Sequence, residues 1–171
     1  MIRRMEPPDA ARAAEIHVFG WREAFFGILT EQYLFGRMGV AASMKRFEEQ
    51  IQEQANKQIS GNESENYVYD DKILKAFMTI GPCREDDGAG VFELWGLYVD
   101  PFFQRRGIGT EMIKFCEEQA VSRGFGQNCL WVLEPNLRGR AFYKKCGYAW
   151  DGTRKFLPHV GVDELRYTKN L

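Results

Sequence analysis

Residues 98–115, YVDPFFQRRGIGTEMIKF, begin as an apolar strand and end as an amphipathic helix. Two arginines and two glycines, Gln104-Arg105-Arg106-Gly107-Ile108-Gly109, stand where one hands over to the other. A helix N-terminus presents unpaired backbone N–H groups and the positive end of its dipole. Glycines let several of those amides converge on one anion with no side chain in the way. Such a turn suits a phosphate, and a pyrophosphate best of all. The pattern GxxxxGK[ST] is absent, and so is GxGxxG with an acidic residue about 20 positions on, which disfavours a nucleoside triphosphate or a dinucleotide.

Working outward, VFELWGLYV (91–99) reads as a strand, 108–124 as a helix closed by Gly124, and NCLWVL (128–133) as a second strand. Strand, helix and strand over roughly 40 residues make a βαβ crossover, so the two strands are expected to be parallel. Upstream, YVYDDKILKAFMTI (67–80) reads as a hairpin around Asp70-Asp71. Residues 9–57 read as three helices, the first capped by Asp9, the second preceded by Thr30, and the third carrying Met44, Phe47 and Ile51 at helical spacing. Polar breaks follow at 56–66 and 82–90. Downstream, Asn136 can cap a helix ending at Gly147, and strands are expected near 148–157 and 162–169. The reading is one α/β domain, 1–171, on a mixed sheet of about six to seven strands.

With 44% apolar and 14% aromatic residues, the 171-residue chain has ample material for a core. A formal net charge of -1 argues against a general binder of nucleic acid or membrane surface. No apolar run approaches the roughly 18 residues that span a bilayer, and the N-terminus lacks a signal peptide's apolar stretch, so a cytoplasmic location is expected. Cys83, Cys116, Cys129 and Cys146 form no CxxC pair and lie far in sequence from His17 and His159. Free thiols and no metal are the expectation.

LYVDPFFQRRGIGTEMI resembles motif A of the GNAT N-acetyltransferase superfamily, V-x-P-x-x-(Q/R)-x-x-G-x-(G/A), and EPNLRGRAFYKKCGY (134–148) is similar to its motif B. The two fall in the family's order. The resemblance spans residues 67–169, and IHVFGWREAFFGILTEQYLF (16–35) is similar to the opening of many bacterial members. It implies a GNAT-type fold, a mostly antiparallel sheet with helices on both faces around the parallel βαβ core. The implied reaction is direct transfer of an acetyl group from acetyl-CoA to a primary amine, of a small molecule or a protein, in a ternary complex. Gln104, Arg105, Arg106, Gly107, Ile108, Gly109 and Thr110 are expected to hold the pyrophosphate. The backbone of Leu97, Tyr98 and Val99 is expected to pair with pantetheine where this strand splays from the next. Asn136 is expected to contact the same arm or to serve as an ordinary N-cap. Homodimers are common in the family.

Acetyl transfer requires an amine stripped of its proton and a thiolate that receives one. The resemblance offers Glu93 as base and Tyr143 as acid, with Glu134 or a water relay as alternatives to Glu93. Alternation along 91–99 would put Glu93, Trp95, Leu97 and Val99 on one face. For the acceptor, family logic points to Trp21, Arg22, Phe25, Phe26, Phe156 and His159. Arg22, Arg154 and Lys155 would favour a substrate carboxylate, and Glu23, Asp163 and Glu164 a positive charge. A non-catalytic acyl-CoA sensor on the same fold is the competing reading. It would keep the turn at 105–110 but lose the acid and the base.

Overall fold

The computed structural model describes residues 1–56, 64–85 and 90–171. Among these residues seven strands form one sheet: β1 Ile2–Arg4, β2 Glu65–Asp70, β3 Leu74–Pro82, β4 Val91–Val99, β5 Gln127–Leu133, β6 Ala149–Leu157 and β7 Val162–Asn170. Their order is β1-β2-β3-β4-β5-β7-β6, and only β4 and β5 run parallel. The helices are α1 Ala10–Phe25, α2 Val40–Asn56, α3 Ile108–Ser122 and α4 Leu137–Lys145, with a π-helical turn at Gln32–Arg37. Among the described residues no helix is long and apolar enough to cross a membrane. Parts of the two expected polar breaks, 57–63 and 86–89, lie outside the described residues.

Strand β1 was not expected, because three residues carry no readable periodicity. Arg3 holds it in place, reaching Asp9 at 2.7 Å and Asp70 at 2.8 Å. Asp9 consequently does not cap α1 with its side chain. Its carboxylate accepts from Glu6 N at 2.8 Å and from Arg3. Thr30 does cap the turn after α1, since its Oγ1 accepts from Tyr33 N at 3.2 Å. The β2–β3 turn is Asp71–Ile73, one residue later than the Asp70-Asp71 reading, with Lys72 at φ 66°.

Alternation along β3 divides the core. Ala76, Met78 and Ile80 face α3 and α4, packing with Met112, Ile113 and Cys116. Phe77 faces α1 and α2, packing with Ala13, Ile16 and Phe47, and Leu74, at the start of the strand, joins the same cluster. Burying each large side chain contributes about 1.5–3 kcal/mol. Helices thus cover both faces of the sheet, as expected. In β4 the alternation breaks. Thr79 of β3 pairs with Gly96 and Ile80 with Leu94, which leaves Trp95 as an extra residue. The bulge returns Leu97 and Val99 to the face of Phe92 and Leu94, towards α3. Glu93, Trp95, Leu97 and Val99 therefore do not share one face, correcting the simple period-two expectation.

His17 of α1 is buried among Tyr98, Phe77, Phe47 and Trp21, with ring centroids 5.0–6.0 Å away. Its Nδ1 lies 3.2 Å from Ser43 Oγ. Burial, and then the charge of Arg46, pushes its pKa down from 6.5 to about 3. Because the folded value lies below the unfolded one, this stability is present above pH 6.5 and is lost as pH falls towards 3. Replacing the ring by His17→Gln, which retains a group able to bond Ser43, is expected to flatten the fall in urea midpoint across that window. A parallel fall in variant and parent would locate the acid sensitivity elsewhere.

Candidate active site

Strands β4 and β5 are hydrogen-bonded only from Val91–Gln127 to Leu94–Leu130. Beyond the bulge at Trp95 they separate. Trp131, Val132 and Leu133 pair with β7 alone, while β4 stays paired with β3 through Val99. The result is a wedge in which one edge of Leu97–Val99 has no strand partner. It opens into a cleft of about 820 Å³ that reaches both faces of the sheet. Unpaired backbone groups seek partners, so an extended ligand with alternating donors and acceptors fits this edge.

At the α3 end the turn has the geometry its glycines suggested. Gly107, at φ 87°, is the residue before α3. Arg105 also has a positive φ, 59°, a conformation that costs a non-glycine residue on the order of 1 kcal/mol. The first helical bond runs from Glu111 N to Gly107 O at 3.0 Å, so the amides of Ile108, Gly109 and Thr110 have no helical acceptor. All three residues line the cleft. Gly109 sits so close to α4 that a Cβ there would meet Phe142 Cζ at 3.1 Å. Arg105 and Arg106 are exposed at the rim, and Arg106 lies over the Phe103 ring. Gln104 Nε2 donates to Val99 O at 3.2 Å and to Glu23 Oε2 at 3.3 Å. Glu23 is also clamped by Arg138 of α4, which holds its carboxylate below the usual range. Asn136 caps α4, its Oδ1 accepting from Gly139 N at 2.9 Å, and it also borders the cleft, so both readings of it coexist.

Tyr143 projects from α4 into the same space, and its hydroxyl makes no hydrogen bond among the described residues. Burial, followed by the nearby Tyr98, pushes its pKa up, so the hydroxyl holds its proton. On the α1 side the walls are Trp21, Phe25, Trp131, Leu157, His159 and Glu164. Trp21 Nε1 donates to Tyr98 Oη at 2.8 Å, tying this wall to β4. Burial, the largest influence, raises the pKa of Glu164.

The acetyltransferase (GNAT) family model matches residues 21–148. The chain belongs to the GNAT family. It is similar to an uncharacterized N-acetyltransferase, YuaI, of Bacillus subtilis, at 25% identity over 79% of this chain and 72% of that protein. It also resembles the probable N-acetyltransferase 14 of Xenopus tropicalis, at 27% identity over 58% of this chain. The alignment spans 47% of that relative's length. Among solved structures, the PaiA N-acetyltransferase of Thermoplasma acidophilum, in complex with coenzyme A, superposes with TM-score 0.79. It is 22% identical, and the match covers 100% of this chain and 98% of that one. YncA of Salmonella typhimurium, with acetyl-CoA, superposes at 0.68 with 13% identity, over 100% of this chain and 93% of that one.

Set against the GNAT expectation, the structure brings Tyr143, Asn136, Leu97–Val99, Gln104, Arg105 and Gly107–Thr110 to one cleft, with Trp21, Phe25 and His159 on its α1 side. Arg106 stands outside, at the rim. Phe26 and Phe156 do not join them. Helix α1 ends at Phe25, Phe26 turns outward with 64% of its surface exposed, and Phe156 points to solvent. Arg22 is spent on Leu34 O, Met38 O and the Phe35 ring. Glu93 is fully buried and off the cleft wall. Its Oε2 accepts from Arg84 N at 2.9 Å and its Oε1 from the Arg84 guanidinium. Glu134 is held by Arg154 at 2.6 Å. Arg84 and Glu164 both line the cleft, and the sequence reading gave neither a catalytic role. The thiols of Cys83 and Cys129, 46 residues apart, lie 3.8 Å from each other and near Glu93. Burial raises the pKa of Cys129, whose Sγ donates to Cys83 Sγ, and the Glu93 carboxylate is occupied by Arg84.

The Arg84–Glu93 pair should therefore have a measurable structural weight. Removing one partner of a fully buried pair costs about 3–5 kcal/mol, and the exposed flank of Arg84 reduces that to about 2 kcal/mol. Arg84→Met is expected to lose about this much in urea unfolding, and Arg84→Met with Glu93→Gln to regain most of it. Equal loss in single and double variants would show that Glu93 does not need this cation.

Proposed function

We propose that the protein is an acetyl-CoA-dependent N-acetyltransferase acting on a primary amine by direct transfer. The observation that carries this reading is the wedge between β4 and β5, with free α3 amides at one end and Tyr143 beside it. The family membership and the coenzyme complexes of its structural relatives support it. The amides of Ile108, Gly109 and Thr110 would take the pyrophosphate, with Arg105 and Arg106 adding charge. The free edge of Leu97–Val99 would pair with the pantetheine amides. That lays the thioester across the opening, where both faces of the sheet can be reached.

Transfer then needs the amine to arrive from the α1 side, deprotonated. Its lone pair forms the N–C bond, and the C–S bond breaks with its electron pair leaving on sulfur. Tyr143 supplies the proton that sulfur takes up, and the proton shed by the newly acylated nitrogen restores it. Of the two carboxylates first considered as base, Glu93 would have to release Arg84 and Glu134 would have to release Arg154. We place the reaction in a reducing compartment such as the cytoplasm, where Cys83 and Cys129 stay thiols. A sensor lacking catalysis would have no use for an unbonded, protonated tyrosine in the cleft.

Calorimetry and thiol release with an amine panel test this reading. Gly109→Val, which must push Phe142 aside and crowd the amides, is expected to weaken acetyl-CoA at least about tenfold, roughly 1.4 kcal/mol. Tyr143→Phe is expected to lower kcat by about 10²-fold with little change in the KM for acetyl-CoA. A parent protein that binds no acetyl-CoA would end the enzyme reading. A Tyr143→Phe enzyme of full turnover would remove the acid.

A further inference from the structure

The charges facing the acceptor half of the cleft do not balance. Arg84 is neutralised by Glu93. Lys155 of β6 is neutralised by Glu85 at 2.7 Å and lies over the Trp131 ring, 5.2 Å from its centroid. Glu164 stands opposite Lys155 and Leu133 in the register of β7, yet its carboxylate makes no hydrogen bond or ion pair among the described residues. Its neighbours in sequence decide its direction. Leu165 and Tyr167 pack towards α3, whereas Val162 packs against the Phe25 cluster under α1. Glu164 is thus presented to the α1 side of the wedge, across the sheet from the α4 tyrosine, on a wall shared with Trp21, Phe25 and Trp131.

The structure assigns to Glu164 the seat of the acceptor's ammonium group and the removal of its proton, and with it an acceptor class: a primary alkylammonium with no carboxylate beside the amine. This rests on the acetyltransferase reading. Aromatic walls accept an ammonium and its alkyl chain together. A substrate carboxylate would find the two cations already paired and Glu164 repelling it. In the step itself an N–H bond of the ammonium breaks, its electron pair stays on nitrogen, and the proton forms an O–H bond with Glu164. Burial and Glu93 push the Glu164 pKa up, while Lys155, Arg84 and His159 pull it down, and burial wins. A carboxylate raised in this way is a stronger base than an ordinary one.

The test uses a matched pair of acceptors, pentylamine and norleucine, which differ at the carbon bearing the amine by one carboxylate. The parent protein is expected to favour pentylamine at least about tenfold in kcat/KM. Glu164→Gln is expected to lower kcat with pentylamine by about 10²-fold, leave acetyl-CoA affinity within about threefold, and abolish the acidic limb of kcat against pH. That limb should lie above the usual carboxylate range in the parent. Because a raised carboxylate pKa is lost stability once pH passes it, the variant should also melt no lower than the parent at neutral pH, which separates lost chemistry from lost folding. In the coenzyme-free protein, pentylammonium should perturb tryptophan fluorescence through Trp21 and Trp131, and Glu164→Gln should abolish the change. A preference for norleucine, an intact acidic limb in Glu164→Gln, or unaltered pentylammonium binding would each overturn the assignment. Failure of the parent to bind acetyl-CoA, with Glu164-dependent pentylammonium binding intact, would overturn the acetyltransferase reading instead.

Discussion

Everything in the site depends on where β4 and β5 stop being hydrogen-bonded. The parallel pairing ends at Leu94–Leu130, and the extra residue Trp95 lies immediately beyond it. Each hydrogen bond left unmade there forgoes about 0.5–1.5 kcal/mol, and the opening persists because each strand is fully paired on its other edge. A sheet that zipped to the end would have no passage between its faces. With the passage open, α4 offers its tyrosine from one side and β7 its glutamate from the other.

Buried charge is handled by pairing in almost every instance. Glu93 has Arg84, Glu65 has Arg123 and Arg4, and Asp100 has Arg12. Burial of an ionised group is costly unless a partner is present, so these pairs are largely the condition for having the charges at all. Glu164 departs from that pattern while lining a cavity. Its raised pKa registers a burial that the nearby charges of Lys155, Arg84 and His159 do not offset, an imbalance found where a ligand completes the arrangement.

How much of this could be read in the sequence follows from how local each feature is. The turn at Gln104–Thr110 was legible because its chemistry lies in adjacent residues whose types dictate backbone conformation. The βαβ unit and the flanking helices were legible from periodicity. Strand β1 was not, since Arg3 finds Asp9 and Asp70 only after folding. The Trp95 bulge was not either, because a period-two pattern carries no mark of an inserted residue until its partner strand is known. Glu93 matched a familiar spacing, yet its meaning changed with Arg84, nine residues away in a polar stretch that looked like a simple connection. Phe25 and Phe26 were indistinguishable in sequence, and the end of α1 between them decided which enters the cleft. Glu164 appeared only as one of several acidic residues near the last hairpin. Its isolation among paired charges is a property of the fold.

The wedge also divides the labour between two kinds of chemistry. On the side of α3 the contacts on offer are main-chain amides and carbonyls, which any sequence that keeps the turn will reproduce. On the side of α1 and the β6–β7 hairpin they are side chains at the surface of a fixed frame, such as Trp21, His159 and Glu164. Substitutions there alter the wall without disturbing Gly107, Gly109 or the strand pairing. A scaffold built this way can drift in what it acylates while holding constant what it acylates with, since such a change needs only a handful of exchangeable residues.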